Sequence, residues 1–174
     1  SEWVLRDATP DDAEAIAERV NSAYRGDTSR QGWTTEADLL GGQRTDAAMI
    51  RDFLNDSLFR LAWEDGTLVG TQQIEHLDGT TAELGMLAVA PERQGEGLGG
   101  RLVADAEAIA RDRLGCSSLR IRVLHQRTRL LRWYESLGFE HTGETAPFPS
   151  SPRFGEPRVE NLWFLVLEKG LGAG

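Results

Sequence analysis

The sequence contains very little cysteine, since Cys116 is the one cysteine among its 174 residues. A single cysteine excludes an intramolecular disulfide and any metal site built from several cysteines. No histidine and asparagine accompany Cys116 at the spacing of a cysteine nucleophile, so we predict that it is a small, buried apolar residue. The three histidines, His76, His125 and His141, lack the paired spacing of metal ligands. The sequence therefore predicts no metal site.

Long hydrophobic runs are also missing. The longest near the C-terminus, Leu162 to Leu167, has the length of a buried strand, whereas a helix needs roughly 18 apolar residues to span a bilayer. The first residues lack the order of a signal peptide, a basic segment and then an apolar one. Hydrophobic residues at 40% and charged residues at 27% suit a folded chain. We expect a cytoplasmic protein without a membrane partner, folded as one domain over residues 1–174.

Positive charge is scarce, because 19 Lys and Arg face 28 Asp and Glu, which gives a net charge of −9 and a pI near 4.9. Such a surface repels a nucleic-acid backbone, so no nucleic-acid partner is expected, and it weakly favours a cationic substrate. Seven arginines run against this average: Arg111, Arg113, Arg120, Arg122, Arg127, Arg129 and Arg132. Either they form a solvated helix face, or one or two of them contact a phosphate group of a cofactor.

The hydrophobic periodicity changes repeatedly between helix and strand patterns along the chain. It predicts helices over residues 9–24, 34–40, 45–54, 98–115 and 127–137, and strands over residues 3–6, 58–63, 67–77, 81–89, 118–124, 139–145 and 159–167. Asp65-Gly66 and Asp78-Gly79 are hairpin turns, which join three of these strands in antiparallel order. The order of the elements predicts an α+β sandwich around a mixed sheet.

Two irregular stretches interrupt this pattern. Gly85 lies inside a strand, where glycine weakens pairing and indicates a bulge or a splay that frees backbone groups from the ladder. Residues 147–157 hold four of the six prolines, and the aromatic residues among them indicate a loop at the rim of a site.

A glycine-rich turn from Gln94 to Gly100 joins the third hairpin strand to the next helix. Glycine lets the backbone approach a phosphate, unpaired N–H groups point at it, and the positive end of the helix dipole favours its charge. A nucleotide P-loop is excluded, because Arg101-Leu102 follows the glycines where Lys-Ser/Thr would be needed. A dinucleotide fingerprint fits poorly, because hairpins join the preceding strands. The turn is therefore predicted to bind another kind of anion.

Three stretches of the chain resemble the GNAT superfamily of N-acetyltransferases. They are residues 84–102, which carry the family core as Gln94, Gly97 and Gly99, residues 130–139, and the strand and helix opening of residues 5–13. The resemblance covers nearly the whole chain. It implies a single-domain α/β/α sandwich around a mixed, mostly antiparallel sheet of six to seven strands. It also implies an N-acetyltransferase that uses acetyl-CoA (coenzyme A) as donor, with direct attack of the amine and no acyl-enzyme.

The resemblance implies contacts for the cofactor. Backbone groups of Leu87 and Val89 would pair with the pantetheine arm, and the N–H of Leu87 would donate to the thioester oxygen as negative charge develops there. The pyrophosphate would lie on the Gln94–Gly100 turn, against the amides of Gly95, Gly97, Gly99 and Gly100. Gln126 stands where the family often has asparagine and would contact the cofactor. Glu96 suits an anion site only if its side chain turns towards solvent.

The resemblance also implies two groups that transfer protons. Tyr134 holds the position of the general acid, which would protonate the departing thiolate; the alternative is a core tyrosine on an amphipathic helix. Glu83, in the local pattern Ala82-Glu83, matches a base of some family members; the alternative is a strand glutamate that is exposed or paired with a basic residue. Glu75 and His76 are reserve candidates for the base.

The acceptor is predicted to be a primary amine of a small molecule or peptide. In this fold the first helices and the last loop wall its pocket, which here would use Tyr24, Trp33, Glu36 and Phe148, with Arg25, Thr34, Asp38 and Phe154 close by. The alternative function is a non-catalytic acyl-CoA-binding module that serves sensing or assembly. A homodimer that pairs exposed C-terminal strands is a further expectation.

Overall fold

The computed structural model describes residues 2–24, 40–41, 45–147, 156–157 and 162–172 of the chain. The helices are α1 (Ala13–Tyr24), α2 (Ala47–Leu54), α3 (Leu98–Ala108) and α4 (Thr128–Ser136), and a π-helical turn over Ile109–Arg113 extends α3. The strands are β1 (Val4–Asp7), β2 (Leu40–Gly41), β3 (Ser57–Glu64), β4 (Thr67–His76), β5 (Thr81–Val89), β6 (Ser118–Leu124), β7 (Glu140–Pro147), β8 (Glu156–Pro157) and β9 (Trp163–Gly170).

Seven strands form one mixed sheet in the order β1-β3-β4-β5-β6-β9-β7. Its neighbours are antiparallel except β5 and β6, which are parallel because α3 crosses over between them. Strands β2 and β8 form a separate pair. This architecture confirms the predicted α+β fold with a mixed, mostly antiparallel sheet.

Helices cover both faces of the sheet. On one face, α1 and α2 bury Ile16 and Ile50 against Phe59 and Leu61 of β3. On the other face, α3 and α4 pack over β5 and β6, and this cluster also contains Cys116, which is buried as predicted. Burial raises the pKa of the Cys116 thiol, so its nucleophilic thiolate form is disfavoured.

A polar network fixes α3 against the sheet. The guanidinium of Arg60 in β3 donates to both carboxylate oxygens of Asp105 in α3, at 2.9 and 3.0 Å, and to Asp7 in β1 at 2.9 Å. The amide of Gln72 in β4 donates to the Leu102 carbonyl at 2.7 Å. Because three charged groups and a buried amide meet here, the part of α3 from Leu102 to Asp105 is held against β3 and β4.

Strand β5 contains the irregularity that Gly85 predicted, but one residue later. Gly85 stays opposite Gln73, whereas Met86 and Leu87 together face Gln72, which is a β-bulge. Met86 has a φ of 46°, in the left-handed region that side chains disfavour. Beyond this bulge β5 pairs with β4 but leaves β6, since the β5–β6 ladder ends at Leu84 and Ile121.

Several predicted boundaries were wrong. Leu40 was expected to end a helix, but the structure places it in β2; residues 34–39 lie outside the described part. The last strand runs to Gly170, beyond the predicted end at Leu167. This strand is not exposed at an edge, because β9 pairs with β6 on one side and β7 on the other. The expectation of an exposed C-terminal strand was therefore wrong, β1 and β7 are the outer strands of this sheet, and a homodimer stays a prediction.

None of the described helices is long and apolar enough to cross a bilayer.

The cap of α2 gives a first prediction. Asp46 accepts a hydrogen bond from the Met49 N–H at 2.8 Å, so Asp46→Ala is expected to lower the free energy of unfolding by about 1 kcal/mol. Urea denaturation measures the change. Glu144→Ala removes an exposed carboxylate without a helix cap and serves as the control; an equal loss in both variants would contradict the capping role.

Candidate active site

The separation of β5 from β6 opens a wedge in the sheet. Up to Leu84 and Ile121 the two strands are hydrogen-bonded neighbours, but β5 then continues to Val89 against β4, and β6 continues to Leu124 against β9. Helix α4 lies over this gap with Leu130 and Tyr134 facing it. Two cavities meet at the wedge.

The first cavity, which we call the glycine groove, has a volume of about 360 Å³. Its walls are the bulged end of β5, the glycine-rich turn and one side of α4: Leu87, Val89, Gln94, Gly95, Gly97, Gly99, Gly100, Leu130, Trp133 and Tyr134. The groove therefore brings together seven of the eight residues predicted to bind the cofactor.

The conformation of the turn depends on glycine at two positions. Gly95 and Gly97 have φ values of 83° and 90°, which other residues rarely adopt, and Gly97 is the N-cap of α3. A Cβ atom built on Gly95, Gly97 or Gly100 would meet nothing within 4 Å, so these glycines face open space. Since the first N–H groups of α3 receive no side-chain cap from Gly97, the turn fits the pyrophosphate of a coenzyme.

Two side chains of the turn support this arrangement. Gln94 donates from its Nε2 to the Val89 carbonyl at 3.3 Å, which ties the turn to the end of β5. Glu96 is exposed, which meets the condition set by the sequence that its carboxylate turns towards solvent. Its charge therefore does not occupy the groove.

The second cavity, which we call the carboxylate cavity, is smaller, at about 100 Å³. It lies between β5 and β6 and is lined by Glu83, Leu84, Gly85, Met86, Leu87, Ile121, Arg122, Val123, Leu124, Leu130, Tyr134 and Phe164. Leu87, Leu130 and Tyr134 line both cavities. The two spaces are thus adjacent, with Tyr134 at their boundary.

The surroundings of Tyr134 agree in part with both roles that the sequence left open, a general acid and a core tyrosine. It is only 6% exposed and packs edge-on against Trp133 and Phe139, with ring centroids 4.9 and 5.6 Å away. These contacts are those of a core residue. Its position on the walls of both cavities is the one that a proton donor to a group in the groove requires.

Glu83 is both buried and paired. It is 9% exposed, and its carboxylate lies 3.1 Å from Nη2 of Arg122 and 3.5 Å from Nε of Arg120. Burial raises the pKa of Glu83 above its ordinary value, the two arginines oppose this rise, and the charge of Glu75, directly opposite in β4, adds to it. A carboxylate with a raised pKa is suited to accept a proton near neutral pH.

The remaining predicted residues do not line either cavity in the described part of the chain. Gln126 is exposed in the turn before α4, and Glu75 and His76 are exposed at the end of β4. Tyr24 ends α1, but its side chain lies outside the described part. The other predicted acceptor residues also lie outside it: Arg25, Trp33, Thr34, Glu36, Asp38, Phe148 and Phe154.

The seven arginines do not lie on one helix face, because they are spread over the π-helical turn, β6 and α4. Arg111 and Arg113 pair with Asp112 and Asp7, while Arg120 and Arg122 lie on β6 rather than on a helix. Among the described residues that line the glycine groove there is no arginine. Arg122 instead lines the carboxylate cavity, which the sequence did not predict. The sequence shows that Arg120 and Arg122 are two residues apart in a strand. Their pairing with Glu83, however, depends on the β5–β6 register, which the sequence does not show.

Comparison with known proteins adds to this geometry. Residues 15–139 match the family model described as "Acetyltransferase (GNAT) family". A mycothiol acetyltransferase of Thermobispora bispora is 35% identical over an alignment of 127 residues that covers 69% of this chain. The chain spans about 40% of the length of that relative.

Solved structures share the fold. An N-acetyltransferase from Staphylococcus aureus Mu50 superposes with a TM-score of 0.75 at 15% identity, covering 98% of this chain and 99% of the other. A GNAT family acetyltransferase from Elizabethkingia anophelis with acetyl-CoA bound gives a TM-score of 0.63 at 19% identity, covering 97% of each chain.

Proposed function

The chain belongs to the GNAT acetyltransferase family, and from this membership we propose that it is an acetyl-CoA-dependent N-acetyltransferase that acylates a primary amine of a small molecule or peptide. One observation carries the proposal. A glycine groove suited to the pyrophosphate adjoins a cavity that contains a buried carboxylate, and Tyr134 lines both. The donor and the acceptor could therefore meet at Tyr134 and Leu87. We further propose that residues 1–174 act as one acyl-CoA-binding domain.

The donor side of the proposal uses backbone groups. When bound, acetyl-CoA supplies an acetyl group activated as a thioester. Amides of Gly95, Gly97, Gly99 and Gly100 hold its pyrophosphate, and Val89 lies along the path from this turn to the wedge. We assign the oxyanion donor to the Leu87 N–H, because Leu87 belongs to the bulge and lines both cavities. The contact of Gln126 with the cofactor stays a prediction.

The acceptor side uses two proton-transfer groups. In the proposed reaction the amine forms a C–N bond to the acetyl carbon while the C–S bond breaks. Glu83 accepts the proton that the amine nitrogen loses, and the Tyr134 hydroxyl donates a proton to the departing sulfur. Cys116 takes no part, since it is buried in the core.

The pH dependence of Glu83 gives a second prediction. Because its pKa is raised, the acid limb of kcat/KM should lie above the ordinary glutamate value of about 4.3, with activity lost as the pH falls and the carboxylate becomes protonated. Glu83→Gln should lower kcat/KM by about 10²-fold or more and remove this limb. The measurement is thiol release at a series of pH values.

The matched control for this prediction is Glu75→Gln. Glu75 faces Glu83 across the β4–β5 ladder, is exposed, and raises the pKa of Glu83 by repulsion. The control should keep its rate and move the acid limb to lower pH. An unchanged acid limb in Glu83→Gln would assign the titration to another group and remove Glu83 as the base.

The test of the proposed function is turnover. The protein is incubated with acetyl-CoA and a panel of small amines and peptides, free thiol is measured, and acetylated products are identified by mass spectrometry. The acceptor of the mycothiol acetyltransferase relative belongs in the panel because of the 35% identity. Binding of acetyl-CoA without turnover across the panel, unaffected by Tyr134→Phe, would favour the non-catalytic acyl-CoA-binding module instead.

A further inference from the structure

Arg122 occupies a defined place on the wall of the carboxylate cavity. It lies on β6, opposite Val166 of β9, and its side chain is 45% exposed. One nitrogen of its guanidinium is 3.1 Å from the Glu83 carboxylate, and its central carbon lies 5.7 Å from the centre of the Phe164 ring. An aromatic face and a carboxylate thus orient a cation that still reaches the cavity.

The local charge of this cavity differs from that of the whole chain. The chain carries −9, which would favour a cationic acceptor. Among the described residues that line the carboxylate cavity, however, the charged ones are Glu83 and Arg122, one of each sign. Arg120 adds a second positive group at 3.5 Å from Glu83. An acceptor with several positive charges would therefore meet repulsion next to the only acid of this lining.

An ion pair on a cavity wall is complementary to a zwitterion. The ammonium group of the zwitterion can approach Glu83 while a carboxylate a few bonds away approaches Arg122, so that no net charge enters the cavity. The planar guanidinium can bind a carboxylate through two parallel N–H groups. Arg120, whose side chain is less exposed at 28%, would remain beside Glu83 if Arg122 bound the acceptor.

We propose that the acceptor of this enzyme is a small amine that carries its own carboxylate, such as a free α-amino acid, and that Arg122 binds that carboxylate beside Glu83. This inference rests on the proposed function, since it names the acceptor class of the same site. Arg122 is a specificity-determining residue, whereas the proton transfers stay with Glu83 and Tyr134.

The experiment compares matched acceptors. The standard amino acids, their amides and the corresponding decarboxylated amines are each incubated with the protein and acetyl-CoA, and kcat and KM are measured for every acceptor that gives product. The preferred amino acid should exceed its amide by about 10²-fold in kcat/KM, because the neutral amide offers the Arg122 guanidinium no carboxylate to bind. Equal or better use of the amide would overturn the inference.

A set of variants separates recognition from an indirect effect on Glu83. Arg122→Gln should raise KM for the amino acid by about 10²-fold, leave KM for the amide almost unchanged and so erase the preference. Arg122→Lys should restore part of it. Arg111→Gln, which removes an arginine paired with Asp112 outside both cavities, is the control and should match the wild type.

The possible failures are distinguishable. If Arg122→Gln lowers turnover of amino acid and amide by the same factor, Arg122 acts only through Glu83 and the inference is overturned. If amines are acetylated without regard to a carboxylate, the proposed function stands and the acceptor class does not. If none of these acceptors is acetylated but another small amine or a peptide is, the inference is overturned and the proposed function stands; if no amine or peptide at all is acetylated, the proposed function is overturned as well.

Discussion

Tyr134→Phe is expected to lower kcat by about 10²- to 10⁴-fold while the Kd for acetyl-CoA stays nearly unchanged. The variant removes one hydroxyl and keeps the ring, so the edge-on contacts with Trp133 and Phe139 and the wall of the groove are preserved. What is lost is the proposed proton for the departing thiolate. Steady-state thiol release gives kcat, and calorimetric titration gives the Kd.

A neighbouring residue supplies the control for Tyr134→Phe. Trp133 also lines the glycine groove and would lie 3.3 Å from a Cβ atom on Gly99. Trp133→Phe is therefore expected to weaken cofactor binding without a loss of kcat at saturation. If Tyr134→Phe retains wild-type kcat at saturating acetyl-CoA, Tyr134 is a core residue and another group protonates the thiolate.

Local patterns predicted most of the fold. The hairpins at Asp65-Gly66 and Asp78-Gly79, the helix from Leu98 and the start of α2 at Asp46 all depend on residues close together in sequence. The sheet order depends on contacts between distant strands. For that reason the sequence predicted that the C-terminal strand was an exposed edge, whereas β9 lies between β6 and β7.

The position of the bulge in β5 was also not predictable to the residue from the local sequence. Gly85 indicated an irregular strand because glycine pairs weakly, yet the extra residue lies at Met86 and Leu87, opposite Gln72. The amide of Gln72, which lies opposite the bulge, donates to the Leu102 carbonyl of α3, so the bulge faces a residue held by a contact that is distant in sequence. No local signal in β5 encodes that constraint.

One part of the candidate site could be predicted from the sequence and another part could not. The glycine groove was predictable, because its turn is one continuous segment whose glycines adopt positive φ values. The surroundings of Glu83 were not, because Arg120 and Arg122 reach it only through the parallel register that sets Glu83 opposite Arg120. The sequence could propose Glu83 as a base but could not predict that two arginines would pair with it.

Gly97→Asp is expected to weaken acetyl-CoA binding by about 10²- to 10³-fold. The new carboxylate would stand at the N-cap of α3, in the open space where the pyrophosphate is proposed to lie. Two like charges about 4 Å apart repel by about 4 kcal/mol at an effective dielectric constant of 20, which corresponds to about 10³-fold in Kd. Aspartate at this end of a helix also satisfies its first N–H groups, so it competes with the phosphate for the same donors.

The backbone strain of this substitution needs a separate measurement, because Gly97 has a φ of 90° and any side chain there costs about 1–2 kcal/mol. Gly143→Asp is the matched control, since Gly143 has a φ of 87°, faces open space and lies on β7, outside both cavities. Both variants should lose similar stability in urea, but only Gly97→Asp should lose affinity for acetyl-CoA. Gly97→Ala isolates the steric part and should weaken binding less than Gly97→Asp. Near-wild-type affinity in Gly97→Asp would place the pyrophosphate elsewhere, because neither charge repulsion nor competition for the N–H groups could then act on it.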